Sequence, residues 1–256
     1  MAFMMALAPL SARNNGRGAE IIAHRGYWKA EGATQNSRAA LQAAVDLNLY
    51  GSETDIWLTK DGRLMVNHDP EFKGVTIKDA TSRDCRKLIL SNGETMPELD
   101  ELLAIMQKAP TGCRTKLIIE IKDHGEDELN RRAATATLKA VREAKAEEKV
   151  EYISFSDVVC RQLIAEAPAA CVAYLTGGVT PQELKEKGYT GLDYHMNEFR
   201  NNPHWVKEAQ ELGMTVNVWT VTSPEDLMET MERNVDFITT DDPLKALAVK
   251  EEISKK

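Results

Sequence analysis

Strand-like and helix-like segments alternate along this sequence, and that alternation restricts the fold more than any other feature. Short apolar runs are each followed by a segment whose apolar residues recur at helical spacing, which is typical of a parallel sheet. Eight such runs are present: Glu20–His24, Gly51–Leu58, Lys116–Lys122, Val150–Phe155, Ala170–Leu175, Gly191–His195, Met214–Thr220 and Val235–Thr239. Eight units in 256 residues predict a single α/β domain, a closed (β/α)₈ TIM barrel.

The domain organisation follows from the absence of any repeat or low-complexity linker between these units. We expect residues 1–18 to form an N-terminal tail and residues 19–256 to form one barrel domain. Between about 70 and 95 the sequence lacks a clean period, although TSRDCRKLIL could make a short helix. We therefore predict a small insertion after the second strand, lying over the top of the barrel where it can influence substrate choice.

The N-terminal stretch MAFMMALAPLSA bears on where the protein is found. It resembles the apolar core and small-residue end of a signal peptide, but it has no basic start. A periplasmic or exported protein is slightly preferred if this stretch is a truncated signal peptide, and a cytoplasmic one is expected otherwise. No run approaches the ~20 apolar residues of a membrane-spanning helix, so we expect no stable membrane insertion.

The net charge of −8 limits the partners that such a chain attracts. Its field repels nucleic acid and anionic membranes, so an anionic small molecule must be bound by a local cluster of positive charge. The oligomeric state is not specified by the sequence. The four cysteines show neither CxxC spacing nor a neighbouring histidine, which favours isolated thiols: Cys85, Cys113, Cys160 and Cys171.

Acidic residues cluster on two of the predicted strands. Glu53 and Asp55 are two residues apart and therefore project from the same face of the second strand. In KLIIEIKDH the same alternation puts Glu120 and Lys122 on one face of the third strand. Three carboxylates without a nearby cysteine suit Mg²⁺ or Ca²⁺ better than zinc, because these ions prefer oxygen ligands.

Two histidines and two cations complete this constellation. His24 and Arg25 end the first strand in the run IIAHRG, and the turn Lys60–Gly62 returns the chain so that His68 lies beside the carboxylates. The imidazoles can exchange protons near neutral pH, while Arg25 and Lys122 can bind an anion. The sequence therefore predicts a metal and anion site at the carboxyl ends of the strands.

These motifs resemble the glycerophosphodiester phosphodiesterase family. The likeness rests on AHRG, E-x-D, TKDG…HD, a strand ending in E-x-K, a late VWTV and TDDP, and it extends from Ile21 to about Pro243. It implies a metal-dependent barrel enzyme that hydrolyses glycerophosphodiesters to glycerol 3-phosphate and an alcohol. The attacking group in that reaction is the glycerol hydroxyl next to the phosphate, and water then opens the cyclic intermediate.

The resemblance also assigns roles to individual residues. It implies that His24 and His68 are the catalytic pair, that Arg25 contacts phosphate and that Lys122 is the active-site lysine. It places the divalent Mg²⁺ or Ca²⁺ ion on Glu53, Asp55 and Glu120. Trp219 matches the aromatic wall of the substrate pocket, and we expect further substrate contacts from His195 and Asn36.

One departure from the family pattern lies after the first histidine. The family usually has PENT there, whereas this chain reads Ala33-Thr34-Gln35-Asn36-Ser37. Gln35 replaces a carboxylate by an amide and lowers the charge near the metal. This indicates a variant branch whose natural substrate can differ from the common one.

Several residues have a structural alternative. Asp241 is expected to cap the last helix rather than touch substrate, and His195 can equally be a rim residue. His124 and His204 are expected at the surface. Trp219 can be barrel packing instead of pocket wall, and the acidic cluster can be a salt-bridge network with Arg25 and Lys122.

Alternative functions remain open. A phospholipase C-like or sphingomyelinase D-like lipid phosphodiesterase requires apolar residues around the mouth, and the stretch Pro70–Gly93 is too polar to favour one. A non-catalytic barrel that binds a phosphorylated ligand predicts loss of a histidine or a carboxylate, and none is missing. A glycoside hydrolase is disfavoured because its two carboxylates usually come from strand ends far apart in sequence.

Overall fold

Eight parallel strands close into a barrel in the computed structural model, which describes residues 18–255. The predicted (β/α)₈ fold is therefore confirmed. The barrel strands are β1 (Glu20–Ala23), β2 (Gly51–Leu58), β6 (Lys116–Ile121), β7 (Val150–Ser154), β8 (Val172–Tyr174), β9 (Gly191–His195), β10 (Thr215–Trp219) and β11 (Phe237–Thr240).

The barrel closes where its first strand lies between the second and the last. Ile22 pairs with Gly51 of β2 on one side and with Thr239 of β11 on the other. The other strands follow in chain order from β2 through β6 to β11. Because all eight are parallel, every carboxyl end reaches the same rim of the barrel.

The helices cover the outside of the barrel. Most begin at a side chain that accepts a backbone N–H of the first turn, as Ser37, Ser156 and Thr180 do. They are α1 (Arg38–Asp46), α2 (Ser82–Cys85), α3 (Leu99–Lys108), α4 (Asp127–Glu143), α5 (Asp157–Glu166), α6 (Pro181–Glu186), α7 (Met196–Asn201), α8 (Trp205–Glu211), α9 (Pro224–Glu232) and α10 (Pro243–Ser254).

Alternation along the strands divides the core into two parts. Residues such as Ile21, Ile119 and Val216 point outward and pack against the helices in the main hydrophobic cluster. A second cluster fills the inside of the barrel: Ile22, Tyr50, Ile118, Ile153, Leu175 and Phe237. The interior is therefore packed, as in other barrels of this kind, and a ligand can enter only at the rim.

The insertion forms a small layer beside β2. Strand β3 (Leu64–Val66) pairs antiparallel with β2, and β4 (Glu71–Phe72) pairs with β5 (Val75–Thr76). Glu94 attaches the insertion to the barrel, because its carboxylate accepts the Arg38 and Ala39 N–H groups at the start of α1, each at 3.0 Å. Below it lies a separate hydrophobic cluster of Trp57, Met65, Ile77, Cys85 and Met96.

The structure contains two features that the sequence did not predict, the β4–β5 pair within the insertion and helix α7. Helix α7 was not predicted; it starts directly at the end of β9, with His195 as its N-cap. The expected tail and signal-peptide remnant lie almost wholly outside the described residues, which begin at Gly18. No helix within residues 18–255 has the length and apolar character needed to span a membrane. No disulfide joins the cysteines within residues 18–255, in agreement with the isolated thiols expected.

Candidate active site

A cleft of about 150 Å³ opens at the carboxyl ends of the barrel strands. Its lining comes from strands and loops on all sides of the barrel, and it includes His24, Arg25, Glu53, His68, Glu120 and Trp219 of the predicted site residues. The remaining lining residues were not predicted: Ile153, Phe155, Leu175, Asp193, Thr220 and Thr239.

The three predicted metal ligands lie together beside this cleft, which Glu53 and Glu120 line. Glu53 and Asp55 project inward from β2, and Asp55 pairs in register with Glu120 of the neighbouring β6. One carboxylate oxygen from each lies within 4.8 Å of the other two, and all three residues are buried. Glu53 Oε2 accepts the Arg25 N–H at 2.7 Å, whereas Oε1 is buried without a hydrogen-bond partner among residues 18–255.

The electrostatics of this cluster suit a cation. Burial, and then the charges of Asp55 and Glu120, raise the pKa of Glu53 well above its ordinary range. Burial and Asp55 also raise the pKa of Glu120 to about 7. Burial opposes ionisation of Asp55 as well, but Lys122 and the Asn36 hydrogen bond bring its pKa below the usual value. Three crowded carboxyl groups with an unpartnered oxygen fit a divalent ion that takes oxygen ligands.

Lys122 lies against the same carboxylates. Its Nζ is 2.7 Å from Glu120 Oε1 and 3.2 Å from Asp55 Oδ1. Burial acts to lower its pKa, but the two carboxylates outweigh burial and raise it, so Lys122 stays charged. The predicted active-site lysine is thus present at the site, directed at the acidic cluster.

The backbone after β1 explains why the site begins with Arg25-Gly26. Both residues adopt positive φ, 54° for Arg25 and 77° for Gly26, which turns the chain sharply away from the strand. A Cβ at Gly26 would lie 2.6 Å from the Ala40 Cβ, so only glycine fits there. This turn directs the Arg25 N–H at Glu53 and leaves the guanidinium in the cleft.

Each predicted catalytic histidine is held by a carboxylate. His24 Nδ1 lies 2.8 Å from Asp241 Oδ1, and His68 Nδ1 lies 2.7 Å from Asp69 Oδ1. In both rings Nε2 is therefore the nitrogen left for a ligand. Burial, and then the charge of Lys122, lower the pKa of His68.

Asp241 corrects an expectation. It does not cap the last helix, because Asp242 accepts the Lys245 N–H as the N-cap of α10. Instead, the same Asp241 Oδ1 accepts both the His24 ring and Trp28 Nε1, the latter at 3.2 Å. This places a carboxylate behind one of the two imidazoles, and two adjacent aspartates in TTDDP gave no signal for which one does so.

Asn36 and Gln35 support the site from behind. Asn36 Nδ2 donates to Asp55 Oδ2 at 2.8 Å, and its Oδ1 accepts the Thr54 hydroxyl and the Asp55 N–H. Asn36 does not line the cleft, so its position differs from the substrate contact expected of it. Gln35 Oε1 accepts Arg25 Nη1 at 2.8 Å and thereby orients the guanidinium.

Aromatic side chains form one wall of the cleft. Trp219 lines it, held by a hydrogen bond from its Nε1 to the Asp193 carbonyl at 2.8 Å, and Phe155 packs edge-on against it at 5.6 Å. Phe155 remains 41% exposed. His195 is outside the cleft lining; it packs against the back of Trp219 and caps α7 through the Asn197 N–H.

Two further histidines can now be located. His204 is at the surface, as expected. His124 is not: it is buried, its Nε2 accepts the Leu58 N–H at 2.8 Å, and its Nδ1 lies 2.8 Å from the Lys122 carbonyl. The ring thus ties the end of β2 to the end of β6 and stabilises the two strands that carry the acidic cluster.

Asp193 is the lining residue that sequence reasoning missed most clearly. Burial raises the pKa of this carboxyl group to about 7, although a hydrogen bond from Asn217 acts to lower it. A signal for it existed: a single acidic residue within the strand GLDYH, on the same face as His195.

A family model matches most of this chain. Residues 24–245 match the glycerophosphoryl diester phosphodiesterase family. Among curated relatives, a glycerophosphodiester phosphodiesterase of Caldanaerobacter subterraneus subsp. tengcongensis is 31% identical over 245 residues, covering 87% of this chain and 94% of that protein.

Solved structures agree in fold. A glycerophosphodiester phosphodiesterase from Parabacteroides distasonis is 41% identical, with a TM-score of 0.90 over 93% of this chain and 98% of that one. An Oleispira antarctica phosphodiesterase in complex with the product sn-glycerol-3-phosphate has a TM-score of 0.79 at 18% identity, covering 91% and 97% of the two chains. At that identity the likeness concerns the fold alone.

Proposed function

The chain belongs to the glycerophosphoryl diester phosphodiesterase family, and we propose that its cleft hydrolyses glycerophosphodiesters to glycerol 3-phosphate and an alcohol through the residues described above. The observation that carries this proposal is a cluster of three buried carboxylates beside a cleft that two carboxylate-held imidazoles line. The product bound to the Oleispira antarctica protein of the same fold supports the substrate class.

Glu53, Asp55 and Glu120 hold a divalent cation in this proposal. When bound, that ion supplies positive charge to the non-bridging oxygens of the phosphodiester. An all-oxygen ligand set favours Mg²⁺ or Ca²⁺. Arg25 adds to this charge on the cleft side, because its guanidinium is directed into the cleft by the turn after β1.

His24 removes the proton from the attacking hydroxyl. We assign the attack to the glycerol hydroxyl next to the phosphate, so that a new P–O bond forms as the bond to the alcohol breaks. Asp241 accepts from Nδ1 of His24, which leaves Nε2 as the proton acceptor and stabilises the imidazolium that results.

His68 donates a proton to the leaving alcohol. It comes from the loop after β3, and its side chain is 40% exposed, so it stands closer to the mouth than His24, whose side chain is 20% exposed. The cyclic phosphate is then opened by water, with the two imidazoles exchanging roles. This sequence releases the alcohol first and glycerol 3-phosphate second.

The alternative functions are less well supported. A non-catalytic binding barrel would not need both imidazoles, each with its own carboxylate, beside the acidic cluster. A lipid phosphodiesterase would need an apolar rim, and the insertion contributes one exposed large apolar side chain, Ile89, among the described residues.

The test is release of glycerol 3-phosphate from a panel of glycerophosphodiesters, with chelator and with Mg²⁺ or Ca²⁺ added back. We expect activity that chelator abolishes and one of the two ions restores. His24→Ala should lose at least about 100-fold in kcat/KM. The matched control is His204→Ala, because that histidine is exposed and outside the cleft. Activity that chelator does not reduce, or that remains in His24→Ala, would contradict the proposal.

A further inference from the structure

Three buried polar residues lie side by side on the floor of the cleft. They are Asp193 on β9, Asn217 on β10 and Thr239 on β11. Asn217 Nδ2 donates to Asp193 Oδ1 and to Thr239 Oγ1, each at 2.8 Å. We call these three residues the polar floor. Apolar side chains such as Ile153, Leu175 and Phe237 fill much of the barrel interior, so packing alone does not account for these three polar ones.

Alternation along the strands fixes the depth of the polar floor. Its members lie two residues before His195, Trp219 and Asp241, so they occupy the layer directly beneath the rim. Asp193 and Thr239 line the same cleft as His24 and Glu53. The same spacing separates Glu53 from Asp55 and Glu120 from Lys122, so these carboxylates and the polar floor face one another across the cleft. A ligand whose phosphate lies at the acidic cluster can therefore reach Asp193 and Thr239 with its other end.

The polar floor retains unused hydrogen-bonding capacity. Both Asn217 Nδ2 hydrogens are occupied, and the Asn217 Oδ1 atom is buried without a partner within residues 18–255. In the same described part of the chain, Asp193 Oδ2 makes no hydrogen bond, and the Thr239 hydroxyl accepts one without donating any. Buried groups left in this state destabilise a fold unless a ligand or water satisfies them.

We propose that the polar floor is the specificity site for the terminal hydroxyl of the glycerol moiety. Asp193 accepts the proton of that hydroxyl, and Thr239 donates to its oxygen, while Asn217 keeps both in position. The inference rests on the proposed function and adds the orientation of the substrate. The invariant glycerol end points into the barrel, and the variable alcohol points out past Phe155, which is exposed at the mouth.

The experiment uses two phosphodiesters of the same alcohol, choline. One carries glycerol, and the other carries 2-hydroxypropyl, which lacks only the terminal hydroxyl and keeps the attacking one. We expect the wild type to favour the glycerol compound at least about tenfold in kcat/KM, because a site built to bind a hydroxyl rejects the analogue without it.

Variants then assign that preference to the polar floor. Thr239→Val and Asp193→Ala should each reduce it to about twofold or less, and Thr239→Ser should restore it. The matched control is Thr137→Val, a fully buried threonine on α4 whose hydroxyl bonds to the Ala133 carbonyl outside the cleft. Its preference should equal that of the wild type.

The outcomes are separable from those of the proposed function. A wild type that hydrolyses neither compound overturns the proposed function itself and this inference with it. A wild type that hydrolyses both equally well, or Thr239→Val with the preference unchanged, overturns the inference alone. Should Asp193→Ala fail to fold, the substrate preference of the nearly isosteric Thr239→Val tests the inference on its own.

Discussion

His24 Nδ1 and Asp241 Oδ1 lie 2.8 Å apart, although 217 positions separate them in the chain. The contact joins the ends of β1 and β11, the two strands that close the barrel. It fixes which ring nitrogen of His24 faces the cleft, and it supplies a negative charge behind the ring. The orientation of the proposed base therefore depends on closure of the barrel.

Asp241 provides the first prediction. Asp241→Asn should lower kcat about tenfold, and Asp241→Ala about 100-fold, with smaller changes in KM, because the ring loses its charged partner and then its orientation. Steady-state kinetics on a glycerophosphodiester measures both. The control is the adjacent Asp242→Asn, which caps α10 and pairs with Lys29. Equal losses in the two aspartate-to-asparagine variants would count against a positioning role.

The assignment of His68 as proton donor is tested by the leaving group. With choline as leaving alcohol, His68→Ala should lose at least about 100-fold in kcat. With p-nitrophenol, which leaves without protonation, most of that loss should disappear from the single-turnover rate of p-nitrophenol release, which reports the first step alone, whereas His24→Ala should stay inactive on both substrates. The opposite pattern, rescue of His24→Ala alone, would exchange the two roles.

The acidic cluster predicts how stability depends on pH without metal. Burial raises the pKa of Glu120 from 4.5 to about 7, so the folded state binds this proton more tightly than the unfolded chain. Its contribution to stability is complete below 4.5 and is lost as the pH rises through about 7. The Tm of the metal-free protein should therefore fall as the pH rises over this range. The Tm of metal-free Glu120→Gln should fall less over the same range.

A divalent ion should reverse that trend. Because it binds the deprotonated carboxylates, the rise in Tm on adding Mg²⁺ or Ca²⁺ should grow with pH over the same interval. The control for Glu120→Gln is Glu143→Gln, on an exposed stretch of α4. A metal-free Tm that is independent of pH, or equally pH-dependent in Glu120→Gln, would contradict the prediction.

Gln35 allows a test of the charge around the metal. Gln35→Glu places a carboxylate against Arg25, whose Nε is 3.8 Å from Asp55 Oδ2. We expect the half-saturating metal concentration to fall about two- to fivefold at low ionic strength, through added negative charge nearby. Gln42→Glu, on the exposed face of α1, changes the net charge equally at a remote position. Equal decreases of the half-saturating metal concentration in both variants would mean that the net charge of the protein, and not the charge near the metal, determines the effect.

The attachment of the insertion predicts a stability effect. Glu94→Ala removes the acceptor for two N–H groups at the start of α1 and the ion pair with Arg38 at 3.0 Å. The free energy of unfolding in urea should fall by about 1–2 kcal/mol. Glu143→Ala, whose ion pair with Lys139 is exposed, should stay within about 0.5 kcal/mol. Similar values for both would mean that Glu94 is not an anchor.

Much of the fold could be predicted because the spacing of apolar residues and the glycine and proline residues at element ends indicate the same boundaries. The bounds of β2 and β9 match the predicted ones, because a glycine begins each strand and the strand-like pattern stops at its last residue. Helix α7 was missed because it follows β9 without a loop, and six residues give too few turns for a period. His124 was misjudged because its neighbours in sequence are charged, whereas its ring is buried between two strands.

Some residues of the site could also be predicted from the sequence, and others could not. Glu53 and Asp55 could be predicted together because strand alternation places them on one face, and strand order then brings Glu120 beside them. Asp193 had a local signal, as the single acidic residue in GLDYH. The roles of Asp241 and of the contacts within the polar floor could not be predicted, because they depend on which strands become neighbours in the barrel. Local sequence does not contain that information.

The pairing of β1 with β11 has a consequence for synthesis of the protein. A growing polypeptide carries His24 and every proposed metal ligand long before Phe237–Thr240 leaves the ribosome. Until that last strand docks, the ring lacks its aspartate and the polar floor lacks Thr239. Hydrolytic competence should therefore emerge in a single late step, and nascent chains truncated before β11 should be inert.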